Sequence, residues 1–120
     1  MKFQNDIPIY LQLIEIFKEK ILKGEWKADE KIPSVRNLAV IYRVNPNTVQ
    51  RALTELEDMG FVRSERTKGR FVQSSQKSLK SLKDDEVREI TEDFIQKMRA
   101  LKIKKEVVIE AIEKGWDQDD

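Results

Sequence analysis

Gln50, Arg51 and Thr54 follow Asn47 at intervals of three, four and seven residues, which puts all four on one face if their segment is helical. Their side chains suit the reading of hydrogen-bonding edges. An amide such as Asn47 or Gln50 can pair at two points with adenine, and a guanidinium such as Arg51 with guanine. Thr54 can hydrogen-bond or touch a thymine methyl. The same residues also fit the polar face of any solvated helix, so the elements on either side decide between the two readings. Other chemistry finds little material here. The chain has no Cys, which removes disulfides and thiolate metal sites, and no His, the commonest metal ligand and proton carrier near neutral pH. An enzyme would have to use carboxylates such as Asp84, Asp85 and Glu86, and that run reads more simply as the acidic start of a helix offsetting its dipole. No catalytic residue, metal or cofactor is expected.

The segment around Asn47 is framed by sharp punctuation. A first helix opens near Ile7-Pro8, with Asp6 as its cap, carries Tyr10, Leu13, Ile14, Phe17 and Ile21 at helical spacing, and stops at Gly24. A loop with Trp26 leads to a short extended piece at Lys31-Ile32, which Pro33 favours. Ser34 caps a short second helix with Val35, Leu38 and Ile41 facing inward. Asn45-Pro46 breaks that helix and starts another, since Asn suits the cap and Pro the first helical position. Val49, Ala52, Leu53, Leu56 and Met59 form the buried stripe of the third helix, which Gly60 closes. Ser34–Met59 is therefore a helix-turn-helix, and the candidate readers lie in the N-terminal half of its second helix, the part that such a helix inserts into a major groove.

After Gly60 the period changes from helical to alternating. Phe61–Ser64 and Arg70–Gln73 predict two strands around Glu65–Gly69, a hairpin placed where a wing belongs. Residues 74–84 are polar and read as a linker. Two further helices follow, from Asp85 to about Leu101 and from Lys105 to about Lys114, with Gly115 as a stop. The fold class is α+β: a winged helix-turn-helix domain over residues 1–75, and a linker with a short C-terminal helical hairpin over 76–120.

Charge is distributed unevenly. The net charge is +1, but residues 1–77 carry roughly +4 and residues 78–120 roughly −3. Arg36, in the first turn of the second helix, could grip a backbone phosphate and fix the docking register. Lys68 and Gly69 stand at the wing tip, where a cation meets the negative potential of a minor groove and a glycine allows close approach. A merely solvated Arg36 and a hairpin tip kept soluble by charge are the alternatives. No apolar run is long enough to span a membrane, and the N-terminus lacks a signal-peptide pattern, so a cytoplasmic location is expected.

The motifs Pro8-Ile9-Tyr10-Leu11-Gln12, Lys31–Ala39, Val44–Leu53, Gly60-Phe61-Val62 and Gly69-Arg70-Phe71-Val72 together resemble the GntR family of bacterial regulators. The start of the third helix, Asn45-Pro46-Asn47-Thr48, is similar to its small YtrA-type subgroup, whose members carry only a short two-helix extension. The resemblance implies a winged-helix homodimer that binds an inverted-repeat, double-stranded DNA operator, usually as a repressor and often of transporter genes. It places Arg36, Asn47, Thr48, Gln50 and Gly69 where the family contacts DNA; Arg51 and Lys68 are added from their own positions. Arg43 stands where many relatives have glycine, Thr67 replaces the first glycine of the usual wing-tip pair, and Lys102 and Lys104 stand where relatives often have glycine and serine.

Dimerisation falls to the C-terminal helices. Val87, Ile90, Phe94, Met98 and Leu101 form one apolar stripe, and Val108, Ile112 and Trp116 another. An isolated helical pair cannot cover both, and a second chain could. Packing onto the chain's own winged helix is the other way to cover them. The rival function is a winged helix that binds protein, or a replication module. Any small-molecule effector would have to sit in a dimer groove or between domains, and no cluster of residues identifies one.

Overall fold

A computed structural model describes residues 2–118, with five helices and one two-stranded sheet among them. The chain divides into two compact units, Met1–Lys83 and Asp84–Asp120.

In the first unit, α1 (Ile9–Leu22) buries Leu13, Ile14, Phe17 and Ile21 along one stripe. Asp6 does not cap it; Pro8 holds the cap position without a side-chain bond. Gln12 organises the approach instead, accepting from Gln4 N–H and donating to the carbonyls of Gln4 and Ile7. Phe17, fully buried, stacks on Trp26 and meets the Tyr42 ring edge-on. Such ring pairs contribute about 0.5–1.5 kcal/mol beyond the area they bury.

Ser34 caps α2 (Val35–Tyr42) as expected, its Oγ accepting from Asn37 N–H. The inward stripe differs from the expected one: Leu38 and Ala39 are buried and Tyr42 packs on the core, while Ile41 is 63% exposed. At 100° per residue Ile41 falls off the face defined by Leu38, Ala39 and Tyr42. The helix ends on Arg43 in the left-handed conformation (φ 55°). Asn45 then caps α3 (Pro46–Asp58), its Oδ1 accepting from Asn47 N–H at 2.7 Å with Pro46 in the first turn. Val49, Ala52, Leu53 and Leu56 are buried against α1 and α2. Met59 is not part of that stripe; it is the C-cap residue, 40% exposed, and Gly60 (φ 92°) turns the chain away.

Strands β1 (Val62–Glu65) and β2 (Gly69–Val72) pair antiparallel, Val62 opposite Val72 and Glu65 opposite Gly69, each strand displaced by one residue from the expected bounds. The extended piece at Lys31-Ile32 joins β2 through a bridge from Lys31 to Phe71. Ile32 N–H donates to Arg70 O, and Val72 N–H donates to Glu30 O. The wing root thus has a third, short partner.

Residues 76–84, read as linker, are helical. The fourth helix, α4, runs Gln76–Ala100, capped by Ser75, whose Oγ accepts from Ser78 N–H. Its first two turns belong to the first unit, because Leu79 and Leu82 pack against the core. That apolar pair supplied the driving force that the polar composition concealed. Asp84–Glu86 consequently lie inside the helix and not at its N-terminus; Asp85 pairs with Arg88.

The second unit holds the rest of α4 and α5 (Lys105–Trp116). The turn between them is closed by Ile103 N–H donating to Met98 O, with Lys102 left-handed (φ 59°). Lys104 precedes α5 without a side-chain cap. Gly115 does not stop α5, which continues to Trp116. Neither α4 nor α5 buries a side chain.

Candidate nucleic-acid interface

Three sequence devices position the candidate surface. The Asn45-Pro46 cap fixes where α3 begins, the left-handed Arg43 fixes its angle to α2, and the Gly60 turn sends the chain directly into the wing. Asn47 is exposed on the first turn of α3, its backbone N–H already satisfied by Asn45, so its carboxamide stays available. Thr48 beside it is half-buried. Gln50 is exposed one turn on, and its Nε2 donates to Thr54 Oγ1 at 3.3 Å. That bond is long and solvent-exposed, so a base edge can replace it at little cost. Asn47, Gln50 and Thr54 therefore share one open polar face.

Arg51 is engaged elsewhere. Its guanidinium stacks on the Tyr10 ring, 3.6 Å from the centroid, and pairs with Glu55 at 3.8 Å. The Tyr10 contact ties α3 to α1 and the Glu55 pair lies within α3; a base contact from Arg51 would have to give both up. The sequence pattern placed Arg51 near Asn47 and Gln50 on the helical wheel but had no means of showing that Tyr10 approaches it from α1.

Arg36 is exposed at the start of α2, beside the N–H groups of the first turn, where an anion is favoured. Between this helix start and the wing runs a groove of about 520 Å³, lined by Lys31, Ser34, Thr67, Lys68 and Gly69 among others. Gly69 has φ 113°, and a side chain there would meet Lys31 Cε at 2.9 Å. Lys31 is thus a member of the surface that the sequence motifs did not single out; its pairing with the wing is the missing signal. Thr67 takes a left-handed conformation (φ 65°) at the tip, with Lys68 exposed next to it.

Two other cations of the wing, Arg63 and Arg70, serve its architecture. Arg63 donates to Asp29 Oδ1 at 2.6 Å and to Val72 O at 2.9 Å, locking β1 to the piece before α2. Arg70 Nε lies 3.5 Å from Glu57 Oε1, which also accepts from Ser64 Oγ at 2.6 Å, so the wing is tied to α3. Lys31 and Lys68 line the groove as exposed cations, and Arg66 at the wing tip and Arg36 on α2 are exposed as well. Among the described residues no cluster of His, Cys, Asp or Glu could hold a metal ion, and no helix is long and apolar enough to cross a membrane.

The expected dimerisation residues lie on the second unit. Val87, Ile90, Leu101, Ile112 and Trp116 are exposed, Trp116 by 81%, while Phe94, Met98 and Val108 are half-buried. Ile95, Ile103, Val107 and Ile109 are exposed as well and extend the apolar surface beyond the two predicted stripes.

Residues 9–72 match the family model described as bacterial regulatory proteins, gntR family. The chain is similar to the uncharacterized HTH-type transcriptional regulator YhcF of Bacillus subtilis, with 37% identity over 92% of each chain. It is 43% identical to the HTH-type transcriptional repressor YtrA of the same organism, over 62% of this chain and 58% of YtrA. A GntR family transcriptional regulator from Listeria monocytogenes superposes with a TM-score of 0.89 at 35% identity, covering 93% of this chain and 98% of that one. The DNA-binding domain of AraR in complex with operator ORR3 superposes with a TM-score of 0.54 at 29% identity, covering 60% and 84% of the two chains.

Proposed function

The chain belongs to the GntR family of bacterial regulatory proteins, and from that premise we propose that it represses transcription as a homodimer on an inverted-repeat operator. It is a DNA-binding transcriptional regulator, and its relatives are transcription factors rather than enzymes. The observation that carries the finer reading is the open face of α3. Asn47 and Gln50 present carboxamides at the N-terminal half of the helix, with Thr54 one turn further on, and Arg36 on α2 and Lys68 on the wing are exposed as well. In this reading the amides sample base edges in the major groove, Arg36 and the start of α2 hold a phosphate, and the wing tip approaches the minor groove at Gly69.

Repression is favoured by the likeness to YtrA, itself named a repressor, and an operator target by the likeness to AraR's operator-bound domain. The homodimer is favoured by the uncovered apolar faces of α4 and α5, which a second copy would bury. Genes for a membrane transporter are the regulated class that the small-subgroup resemblance points to. Selection of bound sites from random DNA tests the proposal as a whole. A recovered inverted repeat supports it; recovery of single, unrepeated sites or of no sequence preference refutes the dimeric operator reading.

A further inference from the structure

A cavity of about 430 Å³ opens between the end of α1, the loop 24–28 and the first two turns of α4, entirely within the first unit. Its walls differ in kind. Ile21 and Trp26, both buried, and half-buried Leu79 make an apolar floor; one face of Trp26 is already covered by Phe17. Lys23, Lys27, Lys80 and Lys83 surround that floor, and no carboxylate lines the cavity. Lys23 is held from outside by Glu25 and Glu19; its hydrogen bond to Glu25 is the main reason its pKa is raised. Lys27 and Lys83 form no ion pair among the described residues.

Two helix ends meet this cavity with opposite polarity. The negative end of α1 is largely spent, because the carbonyls of Glu19, Lys20 and Ile21 accept from the N–H groups of Lys23, Trp26 and Gly24. The start of α4 keeps a smaller partial positive charge, since Ser78 N–H already donates to the Ser75 cap. Four lysines line the rim of an apolar recess whose size is typical for small-ligand sites, about 300–1,000 Å³.

We infer that this cavity binds a small organic anion, its apolar body against Trp26 and Leu79 and its phosphate or carboxylate held by Lys27 and Lys83. Such an occupant fastens the start of α4 to the end of α1. Binding at this site does not depend on the reading of α3 as a DNA reader.

The test uses the ¹⁵N-labelled full-length chain without DNA. It is titrated separately with 4-nitrophenyl phosphate, 4-nitrobenzoate, the uncharged 4-nitrophenol and inorganic phosphate. One of the two organic anions is expected to shift the Trp26 indole N–H and the amides of 21–28 and 76–83 saturably. It should bind about tenfold more tightly than either nitrophenol or inorganic phosphate, since charge and apolar contact act together. Lys27→Gln with Lys83→Gln should weaken that binding about fivefold or more and leave the remaining spectrum unchanged. Inorganic phosphate binding as well as the organic anions, or shifts scattered over distant lysines, overturns the inference. A duplex of random sequence is titrated in parallel. If it moves Trp26 and Leu79 while neither organic anion does, the lysines belong to the DNA surface and the inference fails, with the regulatory reading intact.

Discussion

The guanidinium of Arg51 lies 3.6 Å above the ring of Tyr10, so a residue of the candidate reading helix is fastened to the first helix of the chain. At an exposed site such a contact contributes about 0.5–1 kcal/mol. It adds a surface tie to the buried side chains by which α3 already packs on α1. Tyr10→Leu and Arg51→Ala should therefore weaken operator binding to a similar extent, and the double variant should be little worse than either. Mobility-shift titrations on a selected operator check this. A full loss for Arg51→Ala with none for Tyr10→Leu would mean that Arg51 leaves the ring and reads a base.

Gln50 gives the sharper probe of sequence reading. Its exposed bond to Thr54 is easily exchanged, so Gln50→Ala should cost about 1–3 kcal/mol on the specific site and change non-specific affinity much less. Equal affinity of parent and variant for the operator removes α3 as the reader.

Lys68 lines the groove between α2 and the wing, and Arg36 lies in the first turn of α2; both are exposed. Arg36→Ala and Lys68→Ala should weaken binding to every sequence alike and lower the salt slope by roughly one each. A change of sequence preference with the slope preserved would contradict phosphate contacts. Binding insensitive to salt in the parent would favour the rival protein-binding module.

Arg43 offers a test of stability that is independent of DNA. A non-glycine residue at φ 55° carries a cost of about 1 kcal/mol, which glycine avoids in part. Arg43→Gly should raise the stability of the chain by about 0.5–1 kcal/mol, or a few degrees in Tm. Thermal unfolding of the two proteins at equal concentration decides it; an unchanged or lower Tm means that Arg43 makes compensating contacts.

Assembly is tested by cutting the chain after Lys83, where the first unit ends. The fragment keeps Leu79 and Leu82 and should fold as a monomer, while the full chain scatters light as a dimer. Inserting about half a turn of DNA between half-sites should then weaken the full chain far more than the fragment. A dimeric fragment, or a monomeric full chain, refutes the role proposed for residues 85–116.

What the sequence disclosed and what it concealed differ in range. Ser34, Asn45-Pro46 and Gly60 act on their own backbone, so the boundaries of α2 and α3 could be read directly from residue type. Met59 and Ile41 were misplaced because a helical repeat tolerates a neighbour about 60° off the stripe, and only packing between elements, α3 on α1 and β1 and α2 on α3, removes the ambiguity. The start of α4 was hidden by Lys77, Lys80 and Lys83, which mask the two leucines that fasten it to the core. On the candidate site, Asn47 and Gln50 were legible because their exposure follows from the stripe opposite. The occupation of Arg51 by Tyr10, and the closeness of Lys31 to Gly69, arise between segments distant in sequence, and no local pattern encodes them.

The chain's two tryptophans lie one in each unit, at opposite extremes of burial: Trp26 is 9% exposed and stacked on Phe17, Trp116 is 81% exposed. Their fluorescence should accordingly separate into a blue-shifted component and a water-like one. Trp26 emission should follow unfolding of the winged-helix unit, and Trp116 emission should move to shorter wavelength only when a second chain covers it. A dilution series of Trp26→Phe protein would then read association optically, with no label attached, while Trp116→Phe protein would report the integrity of the core alone.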